Sequence, residues 1–197
     1  MRILSSFVVA VGLLAAATTP SMAGSSSNST PFSEVKAGIY AHDTFRANRT
    51  KNREENSLDF SGEILFKPIQ FGVAESKALN VLLNPRPHAG FAINDSGFTH
   101  HFYGGLTWDY RFENNLFVEF GFGMGGHTGK LQARRTPDGR PSMGSPVVFR
   151  EGLDLGYRFQ SGHSLAIHGS HLSHGGFFAK ENDGMNFAGL RYGYRFD

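Results

Sequence analysis

The stretch HFYGGLTWDYRFENNLFVEFGFGM, residues 101–124, contains two consecutive runs in which side chains alternate in character. In the second run, one face carries large apolar residues: Leu116, Val118, Phe120, Phe122 and Met124. Successive side chains of a β-strand point to opposite faces, so this alternation predicts a strand. The first run, 102–112, repeats the pattern, and Glu113-Asn114-Asn115 predicts a tight hairpin turn between the two strands.

Similar alternation recurs along the chain and predicts eight strands. They lie near 33–43, 57–67, 86–94, 99–112, 116–127, 146–159, 163–173 and 185–196. Eight is an even number and the smallest common strand count of a membrane barrel. Long polar connections alternate with short ones, as expected when long loops face outside and short turns face the periplasm. Two connections break this rule: 95–98 is short where a long loop is expected, and 68–84 is long where a turn is expected.

The N-terminus predicts export. A basic start at Arg2 precedes an apolar run, 7–19, which is too short to span a bilayer as a helix, and Ser21-Met22-Ala23 offers small residues for cleavage. We therefore expect a signal peptide at 1–23, a flexible Ser/Asn/Thr-rich lead-in at 24–32 and one barrel domain at 33–197.

Composition narrows the class further. The chain has no cysteine, which excludes a disulfide framework and a thiolate metal site. No second apolar run is long enough for a membrane helix, so a membrane-embedded form must be a closed barrel. The 25 glycines and 19 phenylalanines fit a barrel with aromatic girdles, whereas the net charge of +2 says little about partners.

We therefore predict an all-β protein, an eight-stranded antiparallel transmembrane β-barrel of the outer membrane. The alternative is a soluble, secreted β-sandwich or lipocalin-like barrel that binds an apolar ligand. The large apolar outward faces argue against that alternative, because a soluble barrel would expose polar residues there. The last strand, 190–196, also resembles the C-terminal signal of outer-membrane barrels, although Asp197 follows its final Phe196.

The alternation of side chains between the two faces of a strand, here called strand parity, places three polar residues on the membrane side. Leu165 and Ile167 mark the lipid-facing side of strand seven, which places His171 and Ser173 on that side at the strand's outer end. The same parity in strand eight puts Asn186 there as well. Polar groups facing lipid are costly unless they serve a function. A serine beside a histidine is the set needed for nucleophilic acyl transfer, so the pattern predicts an esterase site turned toward lipid. The alternative is that these residues are ordinary polar groups of the rim and loops.

The histidines near this site also raise the question of a metal. His168 and His174 face the opposite side from His171, and no carboxylates cluster with them at ligand spacing. We therefore predict neither a metal nor any other cofactor. The chain contains no phosphate loop, nucleotide fingerprint or nucleic-acid motif, so we expect no nucleic-acid partner.

Several ordered motifs resemble the PagL-type lipid A 3-O-deacylases, also called acyloxyacyl hydrolases. The likeness runs from about residue 85 to the end. The motifs are HLSHGG (171–176), NDGMN (182–186), PHAG (87–90), YGGLTW (103–108), GKL (129–131) and FREGLDLGYRF (149–159). The resemblance implies an eight-stranded barrel of a Gram-negative outer membrane. It also implies a metal-free serine hydrolase that removes the ester-linked 3-hydroxyacyl chain at position 3 of lipid A.

Site roles follow from the same resemblance. Ser173 would be the nucleophile and His171 the general base, with Asn182 and the backbone N–H of Gly176 as oxyanion stabilisers. The family's acid aligns with Asn186, an amide that can accept the histidine N–H but carries no charge. Glu181 or Asp183 could substitute for it, and His174 stands where the family usually has asparagine. A catalytically silent barrel with a structural or adhesive role is therefore the second hypothesis.

The expected partner is lipid A, or whole lipopolysaccharide, in the outer leaflet. Its phosphates suggest a role for basic residues in two outer loops, Arg46 and Arg49 in one and Lys130 and Arg134 in the other. The alternative is a solvated loop charge pattern. The sequence is compatible with either a monomer or a homodimer.

Overall fold

Eight antiparallel strands close into a barrel. The computed structural model describes residues 30–44, 54, 56–132 and 140–196. The elements in chain order are β1 (Phe32–Ala41), β2 (Leu58–Phe66), α1 (Lys77–Leu83), β3 (Arg86–Asn94), β4 (His101–Arg111), β5 (Leu116–His127), β6 (Val147–Arg158), β7 (His163–Ser173) and β8 (Met185–Arg195). Each strand pairs with the next, and β1 pairs with β8 to complete the ring. The predicted eight-stranded antiparallel barrel is confirmed.

The strand bounds lie close to those predicted from alternation. The ranges 86–94, 116–127 and 163–173 agree with β3, β5 and β7, and the other strands differ by one or two residues at an end. The predicted signal peptide at 1–23 lies outside the described residues, as does most of the lead-in at 24–32.

The wall of the barrel is apolar on its outward side. On β7, for example, Leu165 and Ile167 are 56% and 67% exposed, while their neighbours Ala166 and His168 are buried. Exposed Phe, Leu, Ile, Val, Met and Tyr side chains continue this surface around the other strands. A soluble barrel would present polar residues here, so the wall favours the transmembrane interpretation.

Two ends of the barrel can be distinguished. The loop end carries the connections 42–57, 95–100, 128–146 and 174–184, and the turn end carries both strand termini and the connections 67–85, 112–115 and 159–162. The short 95–100 connection remains an exception to the pattern of long loops at one end.

The lumen is filled by side chains. Three guanidinium groups converge on the Glu34 carboxylate, from Arg86 at 2.6 Å, Arg158 at 3.2 Å and Arg195 at 3.0 Å. Further along, Arg191 bridges Glu63 and Asp154, and the remaining cavity is about 10 Å³, room for one water at most. An apolar cluster lies toward the loop end, formed by Tyr40, Met143, Val148, Leu172, Met185 and Phe187. Because the interior is packed, a ligand site has to be sought on the outer wall or in the loops.

The 67–85 connection, for which alternation predicted no element, contains the short helix α1. The helix lies against the outward face of β4 at the turn end, where the Trp108 indole N–H donates to the Leu82 carbonyl over 3.1 Å and the Lys77 ammonium donates to the Arg111 carbonyl. Seven residues, about two turns, are too few to show helical periodicity in a sequence, and these tertiary contacts hold the helix in place. No helix in the described part of the chain is long and apolar enough to cross a membrane.

Candidate active site on the outer wall

His171 and Ser173 lie on the outward side of β7 at its loop end. Both side chains are half-buried, and they continue the face begun by Leu165 and Ile167. The intervening Leu172 is buried on the opposite side of β7, and the following His174 is buried against the 174–184 loop. The two polar residues therefore interrupt an otherwise apolar outward face, as strand parity predicts.

Asn186 faces His171 from the neighbouring strand. The two residues are register partners in the β7–β8 pair, and His171 Nδ1 lies 2.6 Å from Asn186 Oδ1. The amide oxygen accepts the Nδ1–H, which leaves the Nε2 lone pair free to take a proton. An orienting group of this kind sets the tautomer and ring plane of a histidine base.

Gly184 packs against both His171 and Ser173. A Cβ built on Gly184 would lie 3.0 Å from His171 Cε1 and 3.4 Å from Ser173 Cβ, so the imidazole and the serine share one small volume. Gly184 also has a φ of +62°, which side chains other than glycine adopt at a cost. The sequence motif contains this glycine, but only the fold shows that it forms one wall of the site.

The 174–184 loop is tied down at several points. His174 Nε2 donates to the Glu181 carbonyl over 2.7 Å, and the backbone N–H of His174 donates to Asn182 Oδ1 over 3.4 Å. Asp183 joins the loop to the 128–146 connection, because its carboxylate accepts the Ser142 N–H and its own N–H donates to the Ser142 carbonyl. His174 therefore has a structural role in holding the loop.

The two predicted oxyanion residues lie in this same loop but differ in their surroundings. Asn182 is half-buried and held against His174, whereas Gly176 is exposed, with no described atom within 4 Å of the place its Cβ would occupy. The loop end near Gly176 is therefore open enough for a ligand group to approach its backbone.

A groove on the outward wall runs beside His171. It has a volume of about 230 Å³ and is lined by Phe120, Glu151, Gly152, Leu153, Gly169, Ser170 and His171. Above it, Phe149 stands opposite Ser173 in the β6–β7 register. Its ring contacts those of Phe177 and Phe178 at centroid distances of 6.0 and 5.6 Å. These aromatic residues and the groove were not predicted as site residues, because they come from β5, β6 and a loop that meet only in the fold. Such a surface suits an acyl chain.

The predicted substrate-binding cations are only partly described. Arg46, Arg49 and Arg134 lie outside the described residues, and Lys130 is half-buried where the 128–146 connection begins. The Lys130 carbonyl accepts the Met143 N–H over 2.7 Å, which anchors that connection.

A charged cluster that the sequence did not reveal underlies the loop end. His42 lies between Asp59, at 2.8 Å, and Glu54, at 3.0 Å, and all three side chains are buried. Burial alone would lower the pKa of His42, but the hydrogen bonds to the two carboxylates outweigh it and raise that pKa to about 9. Burial would likewise raise the pKa of Glu54, yet hydrogen bonds from His42 and from the Thr99 N–H lower it to about 2. His42 and Glu54 are therefore held as a charged pair near neutral pH.

The described residues contain no group of three or more His, Cys, Asp or Glu side chains placed to hold a metal ion. His168 points into the barrel, His174 is buried against the Glu181 carbonyl of the 174–184 loop, and His171 points outward, so the three imidazoles do not converge.

Comparison with known proteins supplies the family. No curated protein matches the chain. Among solved structures, the crystal structure of the outer membrane enzyme PagL is similar, with 18% identity, a TM-score of 0.59, and coverage of 82% of this chain and 98% of that chain. A de novo designed transmembrane β-barrel gives 13% identity and a TM-score of 0.48 over 84% of this chain and 95% of that one. The Yersinia pestis outer membrane protein Ail gives 12% identity and a TM-score of 0.45 over 85% of this chain and 100% of that one.

The likeness to the PagL structure, at 18% identity, shows the fold alone, and the family follows from the sequence. The profile of the family described as lipid A 3-O-deacylase (PagL) matches residues 80–195, which is more than half of the chain and includes β3 to β8. The protein therefore belongs to the PagL family of lipid A 3-O-deacylases.

Proposed function

We propose that this protein is an outer-membrane esterase that removes the ester-linked 3-hydroxyacyl chain at position 3 of lipid A. Ser173 is the nucleophile, His171 is the general base and Asn186 orients His171. The observation that carries the proposal is the position of this group: a serine and an oriented histidine on the outward, apolar wall, where only a lipid could reach them.

The proposed setting follows from the fold. The chain is exported by the signal peptide at 1–23 and spans the outer membrane of a Gram-negative bacterium with its loop end outward. In that orientation His171 and Ser173 lie near the upper edge of the apolar wall. This is the depth of lipid A ester bonds in the outer leaflet, between the sugar headgroup and the acyl chains.

The first half-reaction transfers the acyl chain to the enzyme. His171 Nε2 takes the hydroxyl proton of Ser173 as its Oγ bonds to the ester carbonyl carbon. The resulting tetrahedral intermediate carries a negative oxygen, which the Gly176 N–H and the Asn182 amide stabilise. The bond between the carbonyl carbon and the sugar oxygen then breaks, and His171 returns the proton to that oxygen.

The second half-reaction releases the acyl chain. Water attacks the acyl-serine carbon while His171 again accepts a proton, and the bond to Ser173 Oγ breaks as that oxygen is reprotonated. The products are a 3-hydroxy fatty acid and lipid A with a free hydroxyl at position 3. No redox step or cofactor is needed for this chemistry.

Different parts of the protein would bind the acyl chain and the phosphorylated headgroup of the substrate. The groove beside His171 and the aromatic side chains of Phe149, Phe177 and Phe178 would hold the acyl chain by apolar contact. Arg46, Arg49, Lys130 and Arg134 would bind the phosphates of the headgroup from the loops.

The second candidate is a catalytically silent barrel with a structural or adhesive role. It is favoured by one observation, that the residue hydrogen-bonded to His171 is an uncharged amide. In serine proteases the corresponding change of aspartate to asparagine lowers the rate by about 10⁴-fold.

One experiment separates the two candidates. The protein is expressed in the outer membrane of a host with ordinary lipid A, and the molecular mass of the extracted lipid A is measured by mass spectrometry. We expect the loss of one hydroxyacyl chain, abolished in Ser173→Ala and in His171→Asn to a similar degree. Heat-modifiable gel migration of each variant serves as the folding control. An unchanged lipid A mass with folded wild-type protein would support the silent barrel, and an active His171→Asn variant would remove histidine from the mechanism.

A further inference from the structure

Glu151 is an unusual residue on the outer wall. It lies on the outward side of β6 with Val147, Phe149, Leu153 and Leu155, and its side chain is exposed. Across the outward positions of the eight described strands, Glu151 is the single side chain of type Asp, Glu, Lys or Arg. A carboxylate facing lipid is strongly disfavoured unless a cation or a function compensates it.

The position of Glu151 relates it to His171. The two residues are register partners in the β6–β7 pair, and both line the groove on the outer wall. Facing cross-strand partners have Cβ atoms about 4.5–5.5 Å apart, so a glutamate carboxylate can reach the imidazole edge. No hydrogen bond or ion pair joins this carboxylate to another described residue.

The other described residues around His171 provide no carboxylate directed at its imidazole. On the β8 side its partner is Asn186, which is neutral, and in the loop its neighbour is Gly184. Asp183 is in the same loop, but its carboxylate is engaged with the Ser142 N–H on the 128–146 connection. Glu181 is exposed, and its carbonyl accepts from His174. Among these, Glu151 is the one carboxylate that stands directly opposite His171 on a neighbouring strand.

We infer that Glu151 is the negative charge that stabilises protonated His171, while Asn186 on the opposite strand fixes the tautomer. The two tasks that a single acid performs in a serine–histidine–acid triad are thus divided between β6 and β8. Glu151 acts through His171 and is a positioning residue. Its catalytic consequence rests on the proposed function, since the imidazolium forms transiently in both half-reactions.

The low polarity of the surroundings makes this charge effective. The wall residues Phe120 and Leu153 line the groove, and an acyl chain bound there would exclude water. A carboxylate near the imidazolium would then be screened less than in solution. The developing positive charge in turn compensates Glu151 during turnover. An amide at position 186 is then compatible with activity.

The test compares Glu151→Gln with wild type in detergent micelles by two measurements. The first is the NMR titration of the His171 imidazole in histidine-labelled protein, assigned with His171→Asn. We expect the midpoint to fall by about one pH unit in Glu151→Gln, equivalent to about tenfold in the protonation equilibrium. The second is turnover of lipopolysaccharide, where we expect kcat to fall about tenfold with KM nearly unchanged, and the acid limb of the pH–activity profile to move to lower pH.

Two further variants complete the test. Glu151→Asp keeps the negative charge, so its His171 titration midpoint and its kcat should both lie closer to those of wild type than to those of Glu151→Gln. Glu113→Gln makes the same chemical change in the exposed turn between β4 and β5 at the turn end, and leaves both measurements unchanged. A His171 midpoint that is equal in wild type and Glu151→Gln overturns the inference, even when the enzyme is active. A shifted midpoint in a protein that releases no fatty acid retains the charge pair and rejects the proposed function instead.

Discussion

Converting Asn186 into an acid is the sharpest perturbation of the proposed site. Asn186→Asp is nearly isosteric, so the 2.6 Å hydrogen bond from His171 Nδ1 can persist while its acceptor gains a full negative charge. That charge would lie about 4 Å from the centre of the imidazolium, where the attraction is about 4 kcal/mol at an effective dielectric constant near 20. Both side chains are half-buried, so desolvation of the new carboxylate and solvent screening should remove about half of this energy.

The remaining stabilisation of about 2 kcal/mol applies to a species formed only during turnover, so it should raise kcat by about 30-fold. Asn186→Glu should act in the same direction with a smaller gain, because its longer side chain has to find new geometry. The assay is release of 3-hydroxy fatty acid from lipopolysaccharide in detergent micelles, with kcat and KM determined separately.

Glu151 provides an internal check on this reasoning. If it already supplies part of the charge, Asn186→Asp should raise kcat more in the Glu151→Gln background than in wild type, because the two carboxylates serve the same imidazolium and repel each other. Lower activity of folded Asn186→Asp than of wild type would show that another group orients His171 and would refute the assignment. Additive effects in the double variant would show that the two positions act independently.

The other predictions concern the loop and the buried ion cluster. Gly184→Ala should lower kcat about tenfold or more with little effect on folding, because its Cβ would press on His171 and Ser173. Gly97→Ala is the control, since Gly97 has a similar φ of +72° but open space around it, and this variant should leave activity intact. Equal losses of activity in the two variants would point to backbone strain instead. His42 has a pKa raised above its unfolded value, so its stabilisation of roughly 3 kcal/mol is complete below about pH 6.5 and is lost as pH rises through about 9. Urea unfolding midpoints measured from pH 6 to 10 should therefore decline more steeply in wild type than in His42→Gln, and parallel curves would contradict the raised pKa.

The barrel could be predicted closely because its signal is local. Alternation along a strand needs no knowledge of the partner strand, and it recovered β3, β5 and β7 with their full bounds. Helix α1 was missed because seven residues give no usable period and because its stability comes from contacts with β4. The His42 cluster was missed because His42, Glu54 and Asp59 show no common pattern in the sequence, and only the fold brings their side chains together.

The site shows the same division. Parity within β7 was enough to place His171 and Ser173 on the outward side, since every second residue of a strand must share a face. Parity in β8 likewise gave the side of Asn186. It could not give the register between strands, and register decides which residues become neighbours.

The sequence by itself determined the number of strands, the outward facing of the serine and histidine, and the family resemblance. These properties depend on residue order along one strand or one motif. Only the tertiary structure decided that Asn186 meets His171 from β8, that Glu151 faces it from β6, and that Gly184 closes the space between imidazole and serine. Those contacts join residues that are distant in the chain, and they are set by the hydrogen-bonded register of a closed ring, which no periodicity within a single strand encodes.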